Sequence, residues 1–181
     1  MEICFIENDY RDFIRQHRPE LAAQVAGGNY VDSTGRTIGS HSGVPFYTVG
    51  QRKGLGIALG YPAYVLRLNA QKNTIVLGKE EDLQAEAFLA EDIRFVEEDE
   101  FFHSKDLTVR IRYHSQPAPC QVQMLQDGRL LVRMTSPVHA VTPGQSAVFY
   151  IGKRLVGGAV ISSQKGLGGI LAQQNTVVQD I

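Results

Sequence analysis

The sequence predicts a mainly β protein: a small glycine-rich β domain followed by a six-stranded antiparallel barrel, with a short helical remnant at the N-terminal end. Three observations carry this prediction. Glycine supplies 18 of the 181 residues, alongside 7 prolines, which is more than the usual ~7% glycine and favours turns over long helices. From residue 85 to 162 short polar-apolar alternations recur between turn signals at intervals of roughly eight to twelve residues, the pattern of a small barrel. The one amphipathic helix that the sequence marks, with apolar residues at helical spacing, lies within the first twenty-six residues.

Residues 1–26 open on an apolar run, Ile3-Cys4-Phe5-Ile6, which expects a neighbour that nothing upstream in these residues provides. Asn8 or Asp9 can cap a helix, with Asp12 in a position like that of a capping box. Tyr10, Phe13, Ile14 and His17 follow at helical spacing until Pro19 restricts continuation. A second short turn over 20–25 ends at Gly27-Gly28. One amphipathic helix of this size cannot fold alone.

Residues 27–84 form the central β domain. Asn29-Tyr30-Val31-Asp32 and Arg36-Thr37-Ile38-Gly39 flank Ser33-Thr34-Gly35 as one hairpin. Residues 63–68 and 74–77 make a second. Residues 85–162 supply the barrel, with strands expected at 87–95, 107–113, 119–125, 129–134, 147–151 and 155–161. Leu107, Val109, Ile111 and Tyr113 alternate with Thr108, Arg110 and Arg112, so the strand over 107–113 has one apolar and one basic face. Gln126-Asp127-Gly128 and Gly152-Lys153-Arg154 mark hairpin turns. After Ser163 the alternation stops, and 163–181 reads as a tail, either disordered or foreign to the fold.

Bulk properties narrow the function. A net charge of −1 confines any polyanion site to a local patch. No apolar run approaches the roughly 18–20 residues that span a bilayer, and no signal peptide is present, so no membrane partner is expected. Two cysteines make no disulfide framework and point to a reducing, cytoplasmic compartment. The histidines at 17, 41, 103, 114 and 139 form no i, i+4 pair, so no metal site is expected. No Ser or Cys sits in a G-x-S-x-G elbow. Taken alone, Cys4 and Cys120 read as buried, inert thiols.

Two basic features remain. Arg52 and Lys53 lie between Gly50, Gly54 and Gly56, where backbone amides can approach a ligand, although the spacing is that of neither the P-loop nor the dinucleotide fingerprint. Arg110, Arg112 and His114 form a basic strip along one strand face, with Tyr113 beside it as a stacking group. Each also reads as a simple solvated face.

In combination these segments resemble the tRNA-specific 2-thiouridylases. The carrying residues are Ile3-Cys4-Phe5-Ile6, Tyr10-Arg11-Asp12-Phe13, His41-x-Gly43 and Tyr47-Thr48-x-Gly50-Gln51-Arg52-Lys53-Gly54-Leu55-Gly56. Downstream come Arg112-Tyr113, Pro119-Cys120, Ala140-Val141-Thr142-Pro143-Gly144-Gln145, Val148-Phe149-Tyr150 and Gly157-Gly158, in the family's order. The match runs over about residues 2–161.

The resemblance implies a sulfurtransferase that makes 2-thiouridine at the wobble position, U34, of tRNA. It also implies that the barrel is of the translation-factor type. In the family an N-terminal ATP-pyrophosphatase domain adenylates the O2 of the base. A first cysteine there and a second, matching Cys4, deliver sulfur received from a donor protein, so Cys4 is implied as the persulfide carrier. The partner cysteine can resolve the persulfide through a disulfide. Arg112, Tyr113 and Gln145 match tRNA-contacting positions, and Arg52 and Lys53 are expected to contact RNA or a neighbouring domain. These 181 residues contain no Ser-Gly-Gly phosphate loop and no first cysteine. ATP is therefore expected as a cofactor of a longer enzyme that includes the missing N-terminal domain, and this stretch is expected to be inactive by itself. Two rival readings are a standalone RNA-binding barrel without catalysis and a purely structural fragment.

Overall fold

The computed structural model describes residue 13, residues 16–113 and residues 115–177. The chain divides into two compact units, Met1–Leu83 and Gln84–Ile181.

In the first unit a short helix, α1 (Pro19–Gln24), leads into a four-stranded sheet. Its strands are β1 (Gly28–Val31), β2 (Thr37–His41), β3 (Tyr64–Asn69) and β4 (Thr74–Gly78). Both expected hairpins form, and their turns show why. Asp32 Oδ1 accepts hydrogen bonds from the Thr34 and Arg36 amides, both at 3.0 Å, and closes the β1–β2 turn. Asn69 Oδ1 accepts from the Lys72 amide at 3.0 Å in the β3–β4 turn. The hairpins are joined by a parallel pairing of β1 with β4, Tyr30 opposite Ile75, in the order β2-β1-β4-β3. Sequence alternation carries no information about that pairing.

Tyr30, Val65, Ile75 and Leu77 form the buried face of this sheet, with Phe46, Tyr47 and Leu55 packed on it. The Tyr30 hydroxyl donates to the Leu55 carbonyl at 2.7 Å, which satisfies a buried polar group and moors the glycine-rich loop to the sheet.

The second unit is a closed barrel of six strands: β5 (Gln84–Phe95), β6 (Leu107–Arg110), β7 (Ala118–Met124), β8 (Leu130–His139), β9 (Ser146–Ile151) and β10 (Arg154–Ile161). Their order is β10-β5-β8-β7-β6-β9, with every pair antiparallel. The six-stranded barrel read from the sequence is thus the observed one. β5 serves two neighbours. Residues 84–90 pair with β8 and residues 90–95 with β10, and a bulge with Asp92 at φ 52° bends the strand between them.

Phe88, Phe149, Leu107, Leu130, Val132 and Val156 fill the barrel. Phe101, also fully buried there, comes from a helix the alternation reading passes over, α2 (Glu98–His103). Glu98, Asp99 and Glu100 in its first turn suit the positive end of the helix dipole. Phe101 meets Phe149 and Phe95 edge-on at centroid distances of 4.8 and 5.1 Å. Gly157 in β10 admits that ring, because a Cβ there would lie 2.9 Å from two of its carbons. Cys120 is in the same core, where burial pushes its thiol up to about 12. It is an inert hydrophobe, as its sequence context suggests.

The tail differs from its reading. After β10 the chain is helical over α3 (Leu167–Val177). Leu167, Ile170 and Leu171 pack on Ala87, Leu89 and Leu131 of the barrel wall. The alternation stops because the apolar spacing has changed to i, i+3, i+4. The Gln164 side chain prepares this turn, accepting from the Leu89 amide at 2.9 Å and donating to the Leu89 carbonyl at 3.3 Å.

Candidate nucleic-acid interface

The strand bearing the expected basic strip is shorter than its alternation suggests. β6 ends at Arg110, and a hydrogen-bonded turn follows. In that turn the Arg112 amide donates to Ser115 Oγ at 3.2 Å, while Ser115 Oγ and the Ser115 amide donate to the Arg112 carbonyl at 2.8 and 3.1 Å. Arg110 and Arg112 therefore do not share a continuous strand face, and His114 lies outside the described residues. Arg112 and Tyr113 lie in that turn and not on β6, the strand that pairs with the β7 strand of Cys120. The serine three residues on competes for the backbone that the ladder would need.

The two arginines have different surroundings. Arg110 stacks over Tyr150, with its guanidinium carbon 5.9 Å from the ring centroid. Arg112 is half-buried and reaches across to the turn after β8. Its Nη2 donates to the Ala140 carbonyl at 2.7 Å and to Thr142 Oγ1 at 3.3 Å. Thr142 Oγ1 in turn donates to the Ala140 carbonyl at 3.0 Å. Nε and Nη1 of Arg112 make no hydrogen bond among the described residues.

The same turn carries Gln145. Its amide donates to the Thr142 carbonyl at 3.3 Å, and its carbonyl accepts from the Ile161 amide at 2.8 Å, so the backbone is fixed while the side chain is exposed. Tyr113 projects from the other turn with 85% of its surface accessible. A depression of about 370 Å³ lies beside Arg112, lined also by Ser115, Gln116, Val138 and His139. Two turns remote in sequence are thus tied through one guanidinium, and between them they present a cation, an aromatic ring and an amide.

Arg52 and Lys53 are exposed on the first unit's loop. Gly50, Gly54 and Gly56 take φ of 85°, 72° and 68°, and Gln51 braces the turn by donating from Nε2 to the Lys53 carbonyl at 2.8 Å. The two cations stand on a stiffened loop. Cys4 lies outside the described residues. Among the described residues no three His, Cys, Asp or Glu side chains gather as metal ligands, and no helix is long and apolar enough to cross a membrane.

His41 is a residue the sequence reading quoted without giving it a role. It is 6% exposed between Tyr30 and Tyr47, and its Nδ1 accepts from the Gly43 amide at 3.0 Å. Burial holds its pKa below the ordinary histidine value, against a smaller upward pull from the Asn73 backbone. A depressed folded pKa means that the neutral ring's contribution is present above the unfolded value, about pH 6.5, and lost as pH falls through the folded one. Thermal melts between about pH 7.5 and pH 5 should show this loss, and a His41→Gln variant should lack that component. An identical pH response in the variant would refute it.

Comparison with known proteins follows the same two units. Residues 85–161 match a family described as the aminomethyltransferase beta-barrel domain. Residues 11–79 match the tRNA methyl transferase PRC-barrel domain. The chain is 57% identical over 173 residues to the tRNA-specific 2-thiouridylase MnmA 3 of Bacteroides fragilis, covering 96% of this chain and 48% of that protein. It is 57% identical over 172 residues to the corresponding protein of Phocaeicola vulgatus, covering 95% of this chain and 46% of the relative. It is 40% identical over 164 residues to the tRNA-specific 2-thiouridylase MnmA of Carboxydothermus hydrogenoformans, covering 90% and 44%. The chain spans about half the length of the curated relatives it matches.

Proposed function

The chain belongs to the tRNA-specific 2-thiouridylase family, and on that premise we propose that its barrel holds tRNA for ATP-dependent 2-thiolation of the wobble uridine. The observation that carries the reading is the pair of turns joined by Arg112. A fixed guanidinium with unspent donors suits a phosphate oxygen, an exposed tyrosine suits the face of an unpaired base, and the Gln145 amide suits a base edge or a 2′-hydroxyl. Phosphate contacts of this type position the RNA without reading its sequence.

In this proposal Arg112, Tyr113 and Gln145 contact tRNA, and Arg52 and Lys53 contact RNA or a neighbouring domain. Cys4 carries the persulfide received from a sulfur-donor protein in the cytoplasm. Adenylation by ATP, at residues not among those assigned here, would make the O2 of the uridine a leaving group. The outer sulfur of the Cys4 persulfide would then bond to C2 as AMP leaves. The thiol of a second cysteine would break the S–S bond by forming a disulfide with Cys4, which supplies the two electrons. The residues for adenylation are not assigned within these 181 positions, and this stretch alone is not expected to thiolate tRNA.

Filter binding of the chain to tRNA over a salt series tests the reading. Salt-sensitive affinity is expected, and Arg112→Ala should weaken it by about tenfold at low salt and lower the slope of log K against log salt by about one. Unchanged affinity and slope would remove the tRNA role of this face. Supplying ATP, a sulfur donor and tRNA to the same preparation should yield no 2-thiouridine, and its formation would show that the chain is catalytically sufficient.

A further inference from the structure

Arg112 does not stand as an isolated surface cation. The acceptor of its shortest bond is the carbonyl of Ala140, a residue 2% exposed at φ 55°. A non-glycine residue in that region is uncommon and persists where its surroundings over-determine it, most often at functional sites. Here the surroundings include Thr142, itself only 9% exposed. Its single hydroxyl proton goes to the Ala140 carbonyl at 3.0 Å, which turns an oxygen lone pair toward Arg112 Nη2 at 3.3 Å. The three groups close a small ring of hydrogen bonds around one guanidinium nitrogen.

A staple serving only stability would be expected to consume the arginine's donors. This one leaves Nε and Nη1 without a partner among the described residues, beside the depression that Arg112 itself lines. An arginine held at one nitrogen has already lost rotamer freedom, and its planar fork then presents the remaining donors in a fixed direction.

We propose that Thr142 is a positioning residue for Arg112, its hydroxyl holding the Ala140 carbonyl and the guanidinium together so that the remaining donors face the RNA. The inference rests on the tRNA-binding reading of Arg112.

Filter binding of the chain to tRNA at low salt, with Thr142→Val, Thr142→Ser, Arg112→Ala and the Arg112→Ala/Thr142→Val double variant, tests it. Thr142→Val conserves shape and removes the hydroxyl, and should weaken binding about three- to tenfold, as loss of one buried hydrogen-bonding group does. Thr142→Ser restores the hydroxyl and should bind within about twofold of the parent. The double variant should bind no more weakly than Arg112→Ala alone, because the hydroxyl acts through the guanidinium. Losses that multiply in the double variant, or a serine variant as weak as the valine one, would overturn the proposal. If Arg112→Ala weakens binding and Thr142→Val does not, positioning fails and the tRNA reading stands. If Arg112→Ala itself has no effect, the tRNA reading fails and the positioning proposal fails with it. Circular dichroism melts of each variant identify any unfolded sample, for which Thr142→Ala replaces the valine variant.

Discussion

Arg112→Lys should weaken tRNA binding by about fivefold, most of what Arg112→Ala costs, although it conserves the charge. The reason is the division of labour within the guanidinium. One nitrogen is committed to the Ala140 carbonyl and Thr142 Oγ1, while two others make no bond among the described residues. A lysine ammonium concentrates its donors at a single point. If it reaches the Ala140 carbonyl, its charge is spent inside the turn, and if it turns outward, the two turns lose their tie. Retained charge should still show in the salt dependence, so the lysine variant should keep more of the slope than the alanine variant while recovering little of the affinity. Filter binding over a salt series separates the two quantities. A lysine variant that binds like the parent would mean that Arg112 acts as a simple positive charge.

Gly28→Ala should destabilise the first unit by about 3 kcal/mol or more, a large effect for one methyl group. Gly28 pairs with His41 across the β1–β2 ladder. A Cβ on it would fall 2.3 Å from His41 Cε1 and 2.4 Å from the Asn73 carbonyl oxygen, far inside van der Waals contact. Neither neighbour can retreat easily. The ring is buried and bonded through Nδ1 to Gly43. Asn73 sits at φ 46°, with its side-chain amide donating to the Val25 carbonyl at 2.7 Å and its own carbonyl accepting from the Asn29 amide at 3.2 Å. Urea unfolding of the variant beside the parent measures the loss. A variant that unfolds at the parent's midpoint would show that the packing around β1 is looser than described. Adding His41→Ala should recover only part of the stability, since the Asn73 backbone oxygen remains.

These residues show how far the sequence was legible. The barrel strands announce themselves because one face of each is buried, which imposes a period of two on residues such as Leu107, Val109 and Ile111. The hairpins were legible through Asp32 and the glycines at 35, 128 and 152, whose chemistry is local. What local patterns cannot carry was missed. The parallel β1–β4 pairing depends on which hairpin edges meet. Helix α2 is a single turn and a half whose purpose is to deliver Phe101 into the core. Ile111 is buried as alternation demands, yet the strand has already ended, because Ser115 closes a turn on Arg112. The site followed the same division. Arg112, Tyr113 and Gln145 were singled out by resemblance, but their mutual placement depends on the left-handed Ala140 and on Thr142, which no spacing rule marks.

The Gln164 side chain has a consequence for where this barrel can be cut. At Leu89, β5 faces the end of β10, and Ser162 together with the Gln164 amide occupies the hydrogen-bonding positions that a longer β10 would have filled. The family match for the barrel stops at residue 161, but the ladder's satisfaction does not. A chain trimmed there would carry an open seam at Leu89 and, beside it, the apolar wall of Ala87, Leu89 and Leu131 without the helix that covers it. Such an edge is a template for adhesion between copies, and the segment after the last strand acts as a stopper that closes it.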